Sequence, residues 1–397
     1  MYLFTSEVVS PGHPDKVADI IADSIVDRLI IGDSRSRVAS EVFVAGRHVV
    51  IGGEVTSNTK LTTEDYDKLV HDALVKIGYN GNPYFTAQEC LHPENVDVQV
   101  LLNEQSPDIN QGVDQEDGET GAGDQGIMFG YADSETENYM PSAITYSRIL
   151  MEKVYKYALE NPSKLGVDIK TQVTMDYGVK DNFESCQPQK IHTIVVSAPC
   201  VASMSIDTVR ALIQDLIDDS GLPSDLYNKN DCIIHINPTG KYVSHSPLHD
   251  SGLTGRKLIV DSFGGYSPIG GGAQSSKDYT KVDRSGLYAA RWIAKHIVAA
   301  GLAKKCVVQL SYAIGVARPT SVAVDSYGTS SIGDDKLSTF VHDSFSLTPN
   351  WITKKFNLDK PSADTFLYAD VAARGQVGQA DYPWEKLDSL EMFEALK

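Results

Sequence analysis

Two stretches of this 397-residue chain concentrate side chains able to handle a polyphosphate. The first, Ser10-Pro11-Gly12-His13-Pro14-Asp15-Lys16, brings a histidine and a carboxylate to the start of a helix. A helix start attracts anions through its free N–H groups and its dipole, and a carboxylate there can hold a divalent cation. The second runs from Gly255-Arg256-Lys257, past Gly270-Gly271-Gly272-Ala273, to Lys277 and Lys281-Val282-Asp283-Arg284. Five cations within thirty residues, among glycines that let a backbone approach an anion, suit a phosphate chain. Spacing alone also fits a plainer reading. Lys277 and Lys281 would then lie in a solvated loop before a helix begun by Asp283, Asp15 would complement a helix dipole, and His13 would be a turn residue.

Two familiar phosphate motifs are excluded. Gly121-Ala122-Gly123-Asp124-Gln125-Gly126 matches G-x-G-x-x-G, but acidic loop precedes it and Phe129-Gly130-Tyr131 follows. A dinucleotide site needs a strand before that run and a long helix after it. Gly271 stands where the phosphate-loop pattern requires lysine.

The elements that must position these residues are legible in part. Apolar residues from Val17 to Leu29 recur at helical spacing, which predicts an amphipathic helix from Asp15 to about Gly32 with Asp19, Asp23 and Asp27 on its polar face. Arg37 to Val44 and Val49 to Val55 predict a hairpin. Ile191 to Ser197, Lys257 to Ser262 and Cys306 to Ile314 read as strands; Ser205 to Asp219 and Arg284 to Ala300 read as helices. The mixture lacks a strict βαβ rhythm and predicts an α+β fold. Asn103 to Gly126 is a long polar loop, and a loop of that length is usually either functional or disordered.

Composition sets outer bounds. The length allows two or three domains. A net charge of -18, from 35 basic and 53 acidic residues, repels nucleic acid and anionic membranes, so any anionic substrate must be held locally. Five scattered cysteines without a CxxC pair fit reduced thiols. With no membrane-length apolar run and no leader-like N-terminus, the expectation is a cytoplasmic protein.

Several of these runs, in this order, resemble the signatures of the methionine adenosyltransferase (S-adenosylmethionine synthetase) family. They are Phe4-Thr5-Ser6-Glu7, Gly12 to Lys16, Gln105-Ser106-Pro107-Asp108-Ile109, Gly121 to Gly126, Ile236-Asn237-Pro238-Thr239-Gly240, Gly252 to Lys257 and Lys281 to Ser285. The resemblance implies three similar domains with mixed and antiparallel sheets around a pseudo-threefold axis, near 1–102, 115–238 and 239–397, with segments able to exchange between them. It implies a transferase of one-carbon metabolism that joins ATP to L-methionine. Homodimers or homotetramers would build each site from two subunits.

By similarity, His13, Lys170, Arg256, Lys277 and Lys281 are catalytic, holding the departing phosphates. Asp168, His235, Asp250, Lys257 and Ala273 join them around ATP. Glu54, Gln105, Asp124, Asp250 and Lys281 would grip methionine. Two magnesium ions would use Asp15 and Asp283, and potassium would use Glu41. Glu41 shares a predicted strand face with Ala39 and Phe43, where a buried carboxylate needs a counter-charge. The chain departs from the family pattern at Gln274, where a phenylalanine is usual, at Ser276, where glycine is usual, and at Ala198-Pro199-Cys200. His235 stands where an aromatic residue often stacks on adenine.

Overall fold

The computed structural model describes residues 1–104 and 120–397. In chain order the strands are β1 (Leu3–Val9), β2 (Arg37–Ala45), β3 (His48–Thr56), β4 (Asp97–Asn103), β5 (Gly126–Asp133), β6 (Lys170–Asp176), β7 (Lys190–Ser197), β8 (Ile233–Ile236), β9 (Gly252–Leu253), β10 (Lys305–Tyr312) and β11 (Ser321–Asp325). The longer helices are α1 (Pro14–Gly32), α2 (Thr63–Ile77), α3 (Ser142–Glu160), α4 (Ile206–Asp218), α5 (Val282–Ala299), α6 (Asp334–Ser344), α7 (Pro349–Phe356) and α8 (Tyr368–Arg374).

Three sheets result, ordered β1-β6-β7-β8, β4-β3-β2-β9 and β11-β10-β5. The first two are mixed, through the parallel pairs β7–β8 and β3–β4, and the third is antiparallel. Each sheet borrows a strand from a distant segment: β1 pairs with β6, β9 with β2 and β5 with β10. The α+β expectation therefore holds, with strands exchanged along the chain.

Each sheet covers one face with helix and leaves the other open. In the second, Val38, Val42 and Val44 are buried while Glu41 and Phe43 are exposed; Leu101 is exposed in the same row as Glu41, across Gly52. Glu41 is thus not the buried carboxylate its strand face suggested. The apolar neighbours Ala39 and Phe43 belong to an uncovered face, and sequence alternation cannot tell which face is covered. Exposed Ile233 and Ile127 stand on the open faces of the other two sheets.

Helix α1 is the axis of the site. Pro14 occupies its first turn, and Val17, Ile21 and Ile25 are fully buried, as the periodicity predicts. Its acidic face is not solvated: Asp19 and Asp23 have no exposed surface and Asp27 has 6%. Backbone from the C-terminal third of the chain docks there, supplying donors that make burial of a carboxylate tolerable. Lys257 to Ser262 is a second correction. Leu258–Asp261 forms one helical turn, not a strand, because short apolar runs do not separate strand from buried helix.

Candidate active site

His13 caps α1, and its Nδ1 accepts the Asp15 N–H at 3.2 Å. The ring proton therefore sits on Nε2. Burial, then the charges of Lys170 and Lys257, push the His13 pKa down to about 3, so the ring is a neutral donor near neutral pH. Asp15 accepts the Leu253 N–H at 3.0 Å and the Lys257 ammonium at 2.6 Å, with Arg256 3.5 Å away. Burial works against its ionisation, but the Lys257 and Leu253 bonds outweigh it and hold the carboxyl below its ordinary range.

The four carboxylates of α1, spaced by four residues, form a docking ladder. Asp19 accepts the Gly255 N–H at 2.9 Å and Asp23 the Ser276 N–H at 2.8 Å, while Asp27 accepts both Tyr368 and Ala369 N–H groups at the start of α8. Successive rungs thus pin the Arg256 loop, the glycine-rich loop and α8 against one helix. Lys16, buried between Asp19 and Asp261, balances the second rung. Arg284 balances the third, and also donates to the Lys277 carbonyl at 3.0 Å.

The glycine-rich loop completes the cluster. Helix α5 begins at Val282 with Lys281 as its cap, so Lys277 and Lys281 lie on a curled loop, not on one helical face. Lys277 pairs with Asp283 at 2.6 Å and Lys281 with Asp278 at 2.5 Å. A Cβ on Gly272 would fall 2.1 Å from the Asp283 carboxylate, and one on Gly126 would fall 3.5 Å away, so two separate glycine runs close on this residue. A Cβ on Gly255 would strike that of Ala273 at 2.5 Å, which joins the Arg256 loop to the Lys277 loop.

Asp168 sits beside Lys170. Burial raises its pKa to about 6, with Lys170 partly offsetting this and nearby Asp250 adding to it. One of its oxygens accepts the Ser246 N–H at 3.4 Å; the other is buried without a hydrogen-bond partner among the described residues. His235 is exposed on β8 in the row of Gln172, whose side chain shares the open sheet face with Lys170. Glu41 and Glu54 line a groove of about 460 Å³ on the open face of the second sheet with Phe43 and Leu253. Asp124 is exposed and accepts the Gln125 N–H. Gln105 lies outside the described residues.

Sequence reading missed Asp23 and Asp278 as supports. The sequence places Asp23 only on the polar face of α1, and nothing local marks either residue as a support.

Fold and site together define an α+β protein in which Arg256, Lys257, Lys277 and Lys281 are gathered on the carboxylates of Asp15, Asp283 and Asp278, without a phosphate-loop motif. Models of the S-adenosylmethionine synthetase N-terminal, central and C-terminal domains match residues 1–107, 119–242 and 244–386. S-adenosylmethionine synthases from a Bradyrhizobium species and a Nitratiruptor species are each 43% identical, over 99% and 98% of this chain and 98% and 97% of their own lengths. A solved S-adenosylmethionine synthetase from Campylobacter jejuni is 70% identical and superposes with a TM-score of 0.96, covering 100% of both chains. The chain belongs to the S-adenosylmethionine synthetase family. Among the described residues no helix is long and apolar enough to cross a membrane.

Proposed function

We propose that the chain is a methionine adenosyltransferase in which the methionine sulfur attacks the 5′ carbon of ATP, tripolyphosphate leaves, and water then cleaves it to pyrophosphate and phosphate. Family membership supports the reaction. The observation that carries the mechanism is the double lysine–carboxylate pairing, Lys257 on Asp15 and Lys277 on Asp283, beside a neutral His13. A thioether is already nucleophilic, so the first step needs no general base. It needs in-line placement and stabilisation of the departing charge.

In this reading His13 donates Nε2–H to the phosphates, and Lys170, Arg256, Lys257, Lys277 and Lys281 surround them. The Asp168 oxygen without a partner among the described residues suits a donor on the nucleoside, with Asp250 nearby and Ala273 assigned to the same ligand by resemblance. Among the described residues no three His, Cys, Asp or Glu side chains are grouped to hold a metal. Asp15 and Asp283 are separate hard-oxygen donors, which fits magnesium, an ion that takes one or two carboxylates and leaves the rest to phosphate and water. When bound, the ion neutralises phosphate charge, and Lys257 and Lys277 would pair with phosphate in place of those carboxylates.

Glu54, Asp124 and Gln105 are assigned to methionine, His235 to adenine and Glu41 to potassium. Glu41, Glu54 and His235 stand on open sheet faces that also carry exposed Phe43, Leu101 and Ile233. This supports self-association through those faces, with a second copy completing each site. Incubation with ATP, methionine and magnesium is expected to yield S-adenosylmethionine, to fail in EDTA, and to lose activity per chain on dilution to the monomer. Product formed in EDTA, or by isolated monomers, contradicts the assignments.

A further inference from the structure

Asp278 has no exposed surface, and none of the roles above uses it. Its carboxylate is nonetheless fully engaged. Oδ2 accepts the Val38 N–H at 2.7 Å and the Lys281 ammonium at 2.5 Å. Oδ1 accepts the Thr280 N–H at 2.9 Å and the Thr280 hydroxyl at 2.6 Å. Its own N–H donates to the Val38 carbonyl at 3.1 Å, and the Lys281 N–H donates to the Asp278 carbonyl at 3.1 Å. The residue therefore closes the turn that ends at the cap of α5 and fastens that turn to the first residues of β2. Burial works against its ionisation, but Lys281 and Arg37 outweigh it and keep the carboxyl below its ordinary range.

We infer that Asp278 is a positioning residue that fixes the Lys281 ammonium at the rim of the site before substrate arrives. This rests on the leaving-group role proposed for Lys281. The two lysines differ in a way that matters. Lys277 is paired with Asp283, a carboxylate given another task, so that pairing exchanges when the site fills. Asp278 has its remaining acceptor positions filled by Val38 and Thr280, so it has no second task to turn to. An ammonium has three N–H donors, and one bond to Asp278 leaves two for an anion. A long flexible side chain anchored in this way loses less freedom when it meets developing charge, which is the condition for strong electrostatic stabilisation.

The test is a double-mutant cycle in kcat with Lys281→Met, Asp278→Asn and both together, with KM for ATP and thermal unfolding followed alongside. Lys281→Met alone is expected to lower kcat by about 10²–10³, the range for one preorganised group. Asp278→Asn, which keeps the shape and removes the charge, is expected to lower kcat by roughly 10–100-fold, as outer partners of a functional group do, with little change in KM. The double variant is expected to be no slower than Lys281→Met. If the Asp278 loss multiplies onto that of Lys281, or if Asp278→Asn leaves kcat intact, Asp278 is merely structural. If Lys281→Met itself turns over normally, the leaving-group role fails and this inference falls with it. Should Asp278→Asn not fold, Asp278→Glu, which displaces the same charge by one methylene, is read through the same cycle.

Discussion

His13 is neutral near pH 7 for a geometric reason. Its Nδ1 is committed to the Asp15 N–H, and burial with Lys170 and Lys257 nearby disfavours a second proton. The folded ring titrates at about 3 and an unperturbed ring at 6.5. Between those values the unfolded chain binds the extra proton, so this group contributes stability that is lost as pH falls through the window. His13→Asn removes the titration. The slope of unfolding free energy against pH, measured in urea between about pH 4 and 6, is expected to drop by up to one proton, about 1.4 kcal/mol per pH unit. An unchanged slope would mean that the ring is protonated in the folded protein. Residue type and motif drew attention to His13, Asp15, Arg256, Lys257, Lys277 and Lys281, while the roles proposed for them, and for Lys170 and Asp283, came from the family resemblance. Asp278 was not, because its meaning lies in Val38, far away in sequence.

At the scale of elements, periodicity located α1, the β2–β3 hairpin and α4, but it gave no sign that the acidic face of α1 is covered. That face is polar in sequence and buried in the fold because its partners are backbone N–H groups, which leave no hydrophobic signature. The glycine-rich loop shows a similar limit. Ser276, where the family commonly has glycine, adopts φ +81°, and its buried hydroxyl has no hydrogen-bond partner among the described residues. A side chain in the left-handed region costs roughly 1–2 kcal/mol. Ser276→Gly is therefore expected to stabilise the protein by about that amount in denaturant melts, less the flexibility that glycine adds to the unfolded chain. A destabilised variant would show that the serine hydroxyl is satisfied in solution.

For the whole molecule, three sheets with exchanged strands bring the start of α1, the Arg256 loop and the glycine-rich loop together. A net charge of -18 makes that local gathering necessary, since the global field opposes an anionic substrate. The second sheet's strand alternation gave no sign of which face is uncovered, so Glu41 was expected to be buried. The proposed mechanism requires that the phosphate chain leaves whole, which separates this reaction from phosphoryl or adenylyl transfer. A rapid-quench single turnover with enzyme in excess over ATP, at saturating methionine and magnesium, tests that requirement directly. Enzyme-bound tripolyphosphate is expected to appear in step with S-adenosylmethionine and ahead of phosphate. Formation of ADP or AMP, or of phosphate before any S-adenosylmethionine, would contradict it.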